Sequence, residues 1–200
     1  MLSHTKKVYL VDDDPAVLKM MLALVSTIGV DVQAFASANQ FLESYRQTPC
    51  ECLVCDLRMP NIDGMELQKR IKAMDIHTLP IIFISGFAEV GIAVEAMKLG
   101  AYDFLEKPFS AQSLLAKIQS ALSHSRDEYA KWMKKRATEA RFALFTPKER
   151  NIIHHVVDGK SSREISDLLD ISVRTVENHR TRIMERLQVK STVDLVKLFL

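Results

Sequence analysis

Two hundred residues, 48% of them hydrophobic and 26% charged, can bury a sizeable core. That excludes an intrinsically disordered chain and suits one large domain or two ordinary ones. The net charge of +2 conceals an asymmetry: residues 1–123 hold 11 Lys/Arg against 14 Asp/Glu and residues 124–200 hold 16 against 11, so the halves carry minus three and plus five. No apolar stretch approaches a membrane span and the N-terminus lacks the apolar core of a secretion signal, so a cytoplasmic protein with no membrane partner is expected. The basic second half suits a nucleic-acid partner.

In chain order, apolar runs predict strands at 7–11, 30–35, 52–55, 81–84 and 103–105. Helix-like segments alternate with them at 15–28, 38–46, 64–74 and 90–99, and a fifth helix follows Pro108. Pro15 suits a first helical turn, Gly29 and Gly100 suit helix ends, and Asn61 to Gly64 supplies turn chemistry. This is the pattern of a doubly wound α/β domain, whose ligands gather at the carboxyl ends of the strands. Polar landmarks follow four of the runs: Asp12 and Asp13, Asp56, Ser85, and Lys107-Pro108. Carboxylates brought together there repel one another unless a hard divalent cation such as Mg2+ neutralises them, which points to metal and phosphate chemistry. Cys50, Cys52 and Cys55 are expected to pack as small buried thiols, because neighbouring strand positions point to opposite faces.

From Ala111 the helical pattern continues well past the expected domain edge, with Leu115, Ile118, Leu122, Tyr129 and Trp132 on one seam that Ser125 interrupts. The seam predicts a long linker helix with a charged outer face. Thr146, Pro147 and Glu149 then restart the chain as a capping box. Helices are predicted at 147–157, closed by Asp158-Gly159, and at 162–169, 173–187 and 192–199.

The acidic pair, Asp56, Ser85 and Lys107-Pro108, with the spacing between them, resemble the receiver domain of two-component response regulators. The resemblance covers residues 1–122 and implies a flavodoxin-like, five-stranded parallel sheet. It implies that Asp56 accepts a phosphoryl group from a phosphohistidine on a sensor histidine kinase. It also implies that Asp13, Asp56 and the backbone carbonyl of Arg58 ligate Mg2+, while Asp12 holds a metal-bound water. Lys107 would pair with Asp56 and then with the phosphoryl oxygens, and a cis peptide would precede Pro108. Ser85 would hydrogen-bond the phosphoryl group, and Phe104 occupies the switch aromatic position; the family often has Thr and Tyr at these two places. Asp14 is read as a helix cap, and Arg58 and Phe87 as neighbours of the phosphate. The switch surface would run over 90–122, where Val90, Ile92, Val94 and Met97 cannot all face one core and so leave apolar surface for a phosphorylation-favoured homodimer.

Residues 145–200 resemble the LuxR-type helix-turn-helix domain, joined to the receiver through a helical linker at 123–144 in the arrangement of the NarL/FixJ family. The block Ile171 to Arg180 carries most of that match. A small all-α domain is implied, with the helix at 173–187 entering the major groove. On it Glu177, Asn178 and Thr181 are candidates for base edges, and Arg174, Thr175, Arg180, Arg182 and Lys190 for phosphate contacts. His179 is read equally as a packed residue or a phosphate contact.

The joined reading is a transcription regulator, expected to activate, with promoter DNA as partner and RNA polymerase as a further candidate. It is a phosphoacceptor rather than an enzyme with a separate substrate. An enzyme alternative also exists, since Asp12, Asp14, Ser85 and Lys107 superficially resemble haloacid-dehalogenase-type phosphatases. That alternative gives neither Asp56 nor residues 145–200 a role. A DNA-binding scaffold with a silent receiver is the third reading.

Overall fold

The computed structural model describes residues 6–74, 76–86 and 90–199. They form two compact units, one ending at Trp132 and the other beginning at Met133. The first holds the strands β1 (Lys7–Val11), β2 (Asp31–Phe35), β3 (Glu51–Asp56), β4 (Ile81–Ser85) and β5 (Asp103–Glu106). Between them run α1 (Pro15–Ser26), α2 (Ala38–Ser44), α3 (Gly64–Lys72) and α4 (Val90–Lys98). The fifth helix, α5, is one uninterrupted element from Ala111 to Ala143. The second unit contains α6 (Pro147–Val157), α7 (Ser162–Leu169), α8 (Val173–Leu187) and α9 (Thr192–Phe199).

All strand pairs are parallel, in the order β2-β1-β3-β4-β5. Alternate residues feed opposite layers. Tyr9, Val11, Leu53, Cys55 and Phe83 pack against one set of helices, and Val8, Leu10, Cys52, Val54, Ile82 and Ile84 against the other. The three cysteines are buried and divided between these layers, as strand geometry requires. Both β3 and β4 are buried throughout, whereas β2, at the sheet edge, is largely exposed.

The ends of α1 to α4 fall one or two residues earlier than the sequence pattern suggests, whereas those of α6 to α9 fall where it places them. After α1 the amides of Thr27, Ile28 and Gly29 bond carbonyls three residues back, at Leu24, Val25 and Ser26, and this tighter winding ends the α-helix before Ile28. Starts are set by caps. Asp14 Oδ1 accepts from the amides of Ala16 and Val17. Thr146 with Glu149, and Ser161 with Glu164, form reciprocal capping boxes on α6 and α7.

Gly64, the first residue of α3, is pressed against the carboxyl end of β3. A Cβ there would lie 2.8 Å from the Asp56 carbonyl oxygen and 2.8 Å from the Phe83 ring. The carbonyl cannot move without disturbing β3. Gly64→Ala is therefore expected to lower stability by about 1–3 kcal/mol, read from urea unfolding. An unchanged midpoint would contradict this packing.

Candidate functional site

Parallel pairing places the ends of β1, β3, β4 and β5 side by side. Cys55 is opposite Val11, Asp56 opposite Ile84, and Ser85 opposite Glu106. Loop hydrogen bonds extend the alignment: Leu57 N–H donates to Ile84 (2.9 Å), and Lys107 N–H to Ser85 (2.8 Å). Asp12, Asp56, Ser85 and Lys107 thus come to one edge from four elements. The Lys107–Pro108 peptide is cis.

Lys107 is the centre of the cluster. Its ammonium donates to Asp56 Oδ1 at 2.7 Å and to Asp12 Oδ2 at 2.9 Å. The second oxygen of each acid is held by backbone: Asp56 Oδ2 accepts from Arg58 N–H (2.7 Å) and Asp12 Oδ1 from Asp14 N–H (2.9 Å). Asp12 is 1% exposed and Asp56 8%, and Ser85 is buried beside them. Asp13 and Arg58 are exposed next to the cluster. Phe104 is partly buried against the layer that contains Phe83. Phe87 lies outside the described residues. On α4, Ile92 packs inward while Val94 and Met97 are exposed, and the side chain of Val90 lies outside the description.

Burial pushes the Asp12 carboxyl up, against the lowering by its bonds from Lys107 and the Asp14 amide. Burial alone would lower the Lys107 ammonium, but the two carboxylates more than reverse this and hold it above its ordinary value. One ammonium against two buried carboxylates leaves the site negative. Among the described residues no three His, Cys, Asp or Glu side chains are gathered closely enough to hold a metal by themselves. A hard cation here would need Asp12, Asp56, the adjacent Asp13 and backbone oxygen together, and the charge deficit and all-oxygen donors fit one.

The raised Asp12 gives a signed prediction. A carboxyl whose folded pKa lies above its unfolded one favours the fold at low pH, and that contribution is lost as pH rises through the folded value. Asp12→Asn removes that pH-dependent loss, so the stability of the variant relative to the parent should rise from acidic to neutral pH. The amide retains only one of the two accepting oxygens, which sets a pH-independent cost beneath that trend. Urea unfolding at neutral and acidic pH checks it, and a relative stability that falls toward neutral pH would refute it.

In the second unit, α8 presents its inner stripe through Val176 and Ile183, both buried. Arg174, Glu177, Asn178, Thr181, Arg182 and Lys190 are exposed. Thr175 is half-buried, its hydroxyl 2.8 Å from Ser172 Oγ in the cap. Arg180 is also half-buried and bonds Ser162 Oγ (3.3 Å) and Thr192 Oγ1 (3.1 Å), tying α7 and α9 to α8. Nδ1 of His179 is buried, with no hydrogen-bond partner among the described residues.

The family profile described as response regulator receiver domain matches residues 8–119, and that of bacterial regulatory proteins of the luxR family matches residues 143–199. The chain belongs to the NarL/FixJ-family response regulators. Its relatives within that family align over nearly the whole length. FixJ of Bradyrhizobium diazoefficiens is 38% identical, with 96% of this chain and 93% of FixJ covered. The response regulator protein TodT of Pseudomonas putida is 36% identical over 95% of this chain and 83% of its own. The solved structure of the response regulator StyR superposes with a TM-score of 0.77 at 35% identity, covering 97% and 98% of the two chains. The chain is a two-component response regulator of transcription, and its receiver and DNA-binding domains imply a histidine kinase and promoter DNA as partners.

One buried polar cluster in the first unit escaped the sequence reading: Glu51, His77 and Ser125. Glu51 precedes an apolar run, His77 lies in a loop, and Ser125 reads as a gap in a seam. No local pattern unites them, because they meet only when β3, the α3–β4 connection and α5 pack together.

Proposed function

We propose that Asp56 is the phosphoacceptor of this response regulator and that its phosphorylation shifts the chain toward a dimer that binds promoter DNA. The observation that carries the reading is the Lys107 ammonium shared between Asp12 and Asp56. It places a positive charge beside the candidate nucleophile, where negative charge develops during transfer. An Asp56 oxygen attacks the phosphorus of a phosphohistidine, forming an acyl phosphate as the phosphorus–nitrogen bond breaks and the imidazole retains its electron pair. Mg2+, held by Asp13, Asp56 and the Arg58 carbonyl with Asp12 on its water, would neutralise phosphoryl charge. Lys107 follows the developing charge onto the phosphoryl oxygens. Ser85 donates its hydroxyl to them, drawing its loop inward, and Phe104 relays that movement to the face bearing Val94 and Met97.

On the output side, Glu177, Asn178 and Thr181 are proposed to meet base edges from the exposed face of α8. Arg174, Arg182 and Lys190 meet phosphates, with Thr175 and Arg180 contributing from their half-buried positions. The chain would work in the cytoplasm as an activator, with RNA polymerase as its downstream contact. The test is to incubate the full chain with acetyl phosphate and Mg2+, locate the modification by mass spectrometry, and measure binding to duplexes selected from a random pool. Modification at Asp56 with tighter, more dimeric binding supports the reading. Modification elsewhere, or unchanged binding, removes it.

A further inference from the structure

Glu51, the first residue of β3, is fully buried, although the phosphoryl chemistry lies at the other end of the strand. Its carboxylate is satisfied: Tyr45 hydroxyl donates to Oε1 (2.6 Å), and the amide and hydroxyl of Thr48 donate to Oε2 (2.8 and 3.0 Å). Its backbone amide leaves the sheet and donates to Ser125 Oγ of α5 at 3.0 Å. Nε2 of His77, which is 2% exposed, lies 3.3 Å from the same hydroxyl, and Nδ1 lies 2.6 Å from the Gln47 amide nitrogen. A donating Gln47 amide leaves the ring proton on Nε2, directed at Ser125. One and two turns beyond Ser125, the rings of Tyr129 and Trp132 flank His77, with centroids at 5.1 and 6.3 Å.

Ser125 is the last fully buried residue of α5, yet the helix runs on to Ala143. Leu114, Ile118 and Leu122 attach the earlier turns by apolar contact, which is non-directional and tolerates sliding or rotation. A buried hydrogen bond between specified atoms does not; fixing register is the best attested use of such polar groups. β3, buried along its whole length, spans roughly 17 Å between Glu51 and Asp56.

We propose that Ser125, held by the Glu51 amide and the His77 ring, is the positioning residue through which the receiver domain sets the rotation and register of the helix that continues into the DNA-binding unit. This rests on the phosphoacceptor role proposed above for Asp56, and it extends that reading with a second attachment, at the opposite end of β3 from the reacting acid.

The test uses the full chain and Ser125→Ala, with Ile118→Ala as a control that loosens α5 without touching the polar network. His77→Phe preserves a ring against Tyr129 and Trp132 while removing its polar atoms. For Ser125→Ala and His77→Phe, acetyl phosphate should still modify Asp56 at the parental rate. Hydrogen exchange over residues 126–132 should accelerate about tenfold or more. The phosphorylation-driven gain in affinity for a duplex selected by the phosphorylated parent should fall below about twofold. A full parental gain in Ser125→Ala overturns the proposal, as does an equal loss of gain in Ile118→Ala at matched stability. If the parent takes no phosphoryl group at Asp56, the proposed function fails. The exchange comparison between Ser125→Ala and Ile118→Ala then decides the anchoring role independently: faster exchange in the former supports it, and equal exchange overturns it.

Discussion

Asp56→Asn is expected to stop phosphoryl uptake from acetyl phosphate, with incorporation falling by about a hundredfold or more. The substitution preserves shape. An amide oxygen can still accept from Lys107 where Asp56 Oδ1 does at 2.7 Å, but the NH2 on the other branch cannot accept from the Arg58 amide as Asp56 Oδ2 does, so that one contact is lost. What disappears is the anionic oxygen proposed to attack phosphorus. Removing one of two buried acids around a single ammonium also lessens repulsion with Asp12, which offsets the lost Arg58 contact, so the variant should remain folded. Intact-mass measurement after incubation with acetyl phosphate and Mg2+ reads the uptake, and unfolding in urea reads the fold. Near-parental uptake in a folded Asn variant would show that Asp56 is not the acceptor. Loss of uptake together with loss of fold would refute the claim that the fold tolerates the exchange.

Ile183→Ala should silence DNA binding while leaving the receiver able to accept phosphate. Ile183 lies 1% exposed in a core formed by Phe145, Ile152, Ile153, Val156, Ile165, Val176 and Leu195. Truncating such a side chain costs about 2–5 kcal/mol, since a cavity remains where the methyl groups packed. A unit this small has only about 3–5 kcal/mol in reserve, a range that the cost of the truncation largely consumes, so a large fraction should unfold. The single tryptophan, Trp132, belongs to the first unit. Its fluorescence transition should therefore stay near the parental midpoint, while far-UV circular dichroism acquires an early phase from the loss of α6–α9. Coincident, unshifted transitions would mean that Ile183 carries far less of the packing than its burial indicates.

Much of the fold was legible because its signals are local. The four helices of the second unit begin and end where the caps and periodicity indicate: Thr146 with Glu149 and Ser161 with Glu164 satisfy helix-start amides within four residues of chain. Strands appeared as apolar runs because both sheet faces are covered. Asp12, Asp56, Ser85 and Lys107 were legible for a related reason. Each directly ends or follows such a run, and parallel strands bring their carboxyl ends to one edge.

Burial of polar groups was less legible. Glu51 looks like a solvated residue before a strand, and Ser125 like a break in an apolar seam, yet both are fully buried. Arg180 looks like a free cation on a basic helix and in the structure ties together three helices. β2 reads as a core strand but is largely exposed, since periodicity does not reveal which strand lies at an edge.

From its residues alone this protein's two-part architecture, strand and helix types, family and the polar cluster at the strand ends could be inferred, because each depends on short-range pattern or on residues at fixed offsets from a strand end. Tertiary structure alone decided which charges share Lys107, how deeply Asp12 is buried, and that β3 is hydrogen-bonded through the Glu51 amide to the last buried turn of α5. Those outcomes follow from desolvation and from contacts between residues as many as 95 positions apart, which no local window of sequence contains.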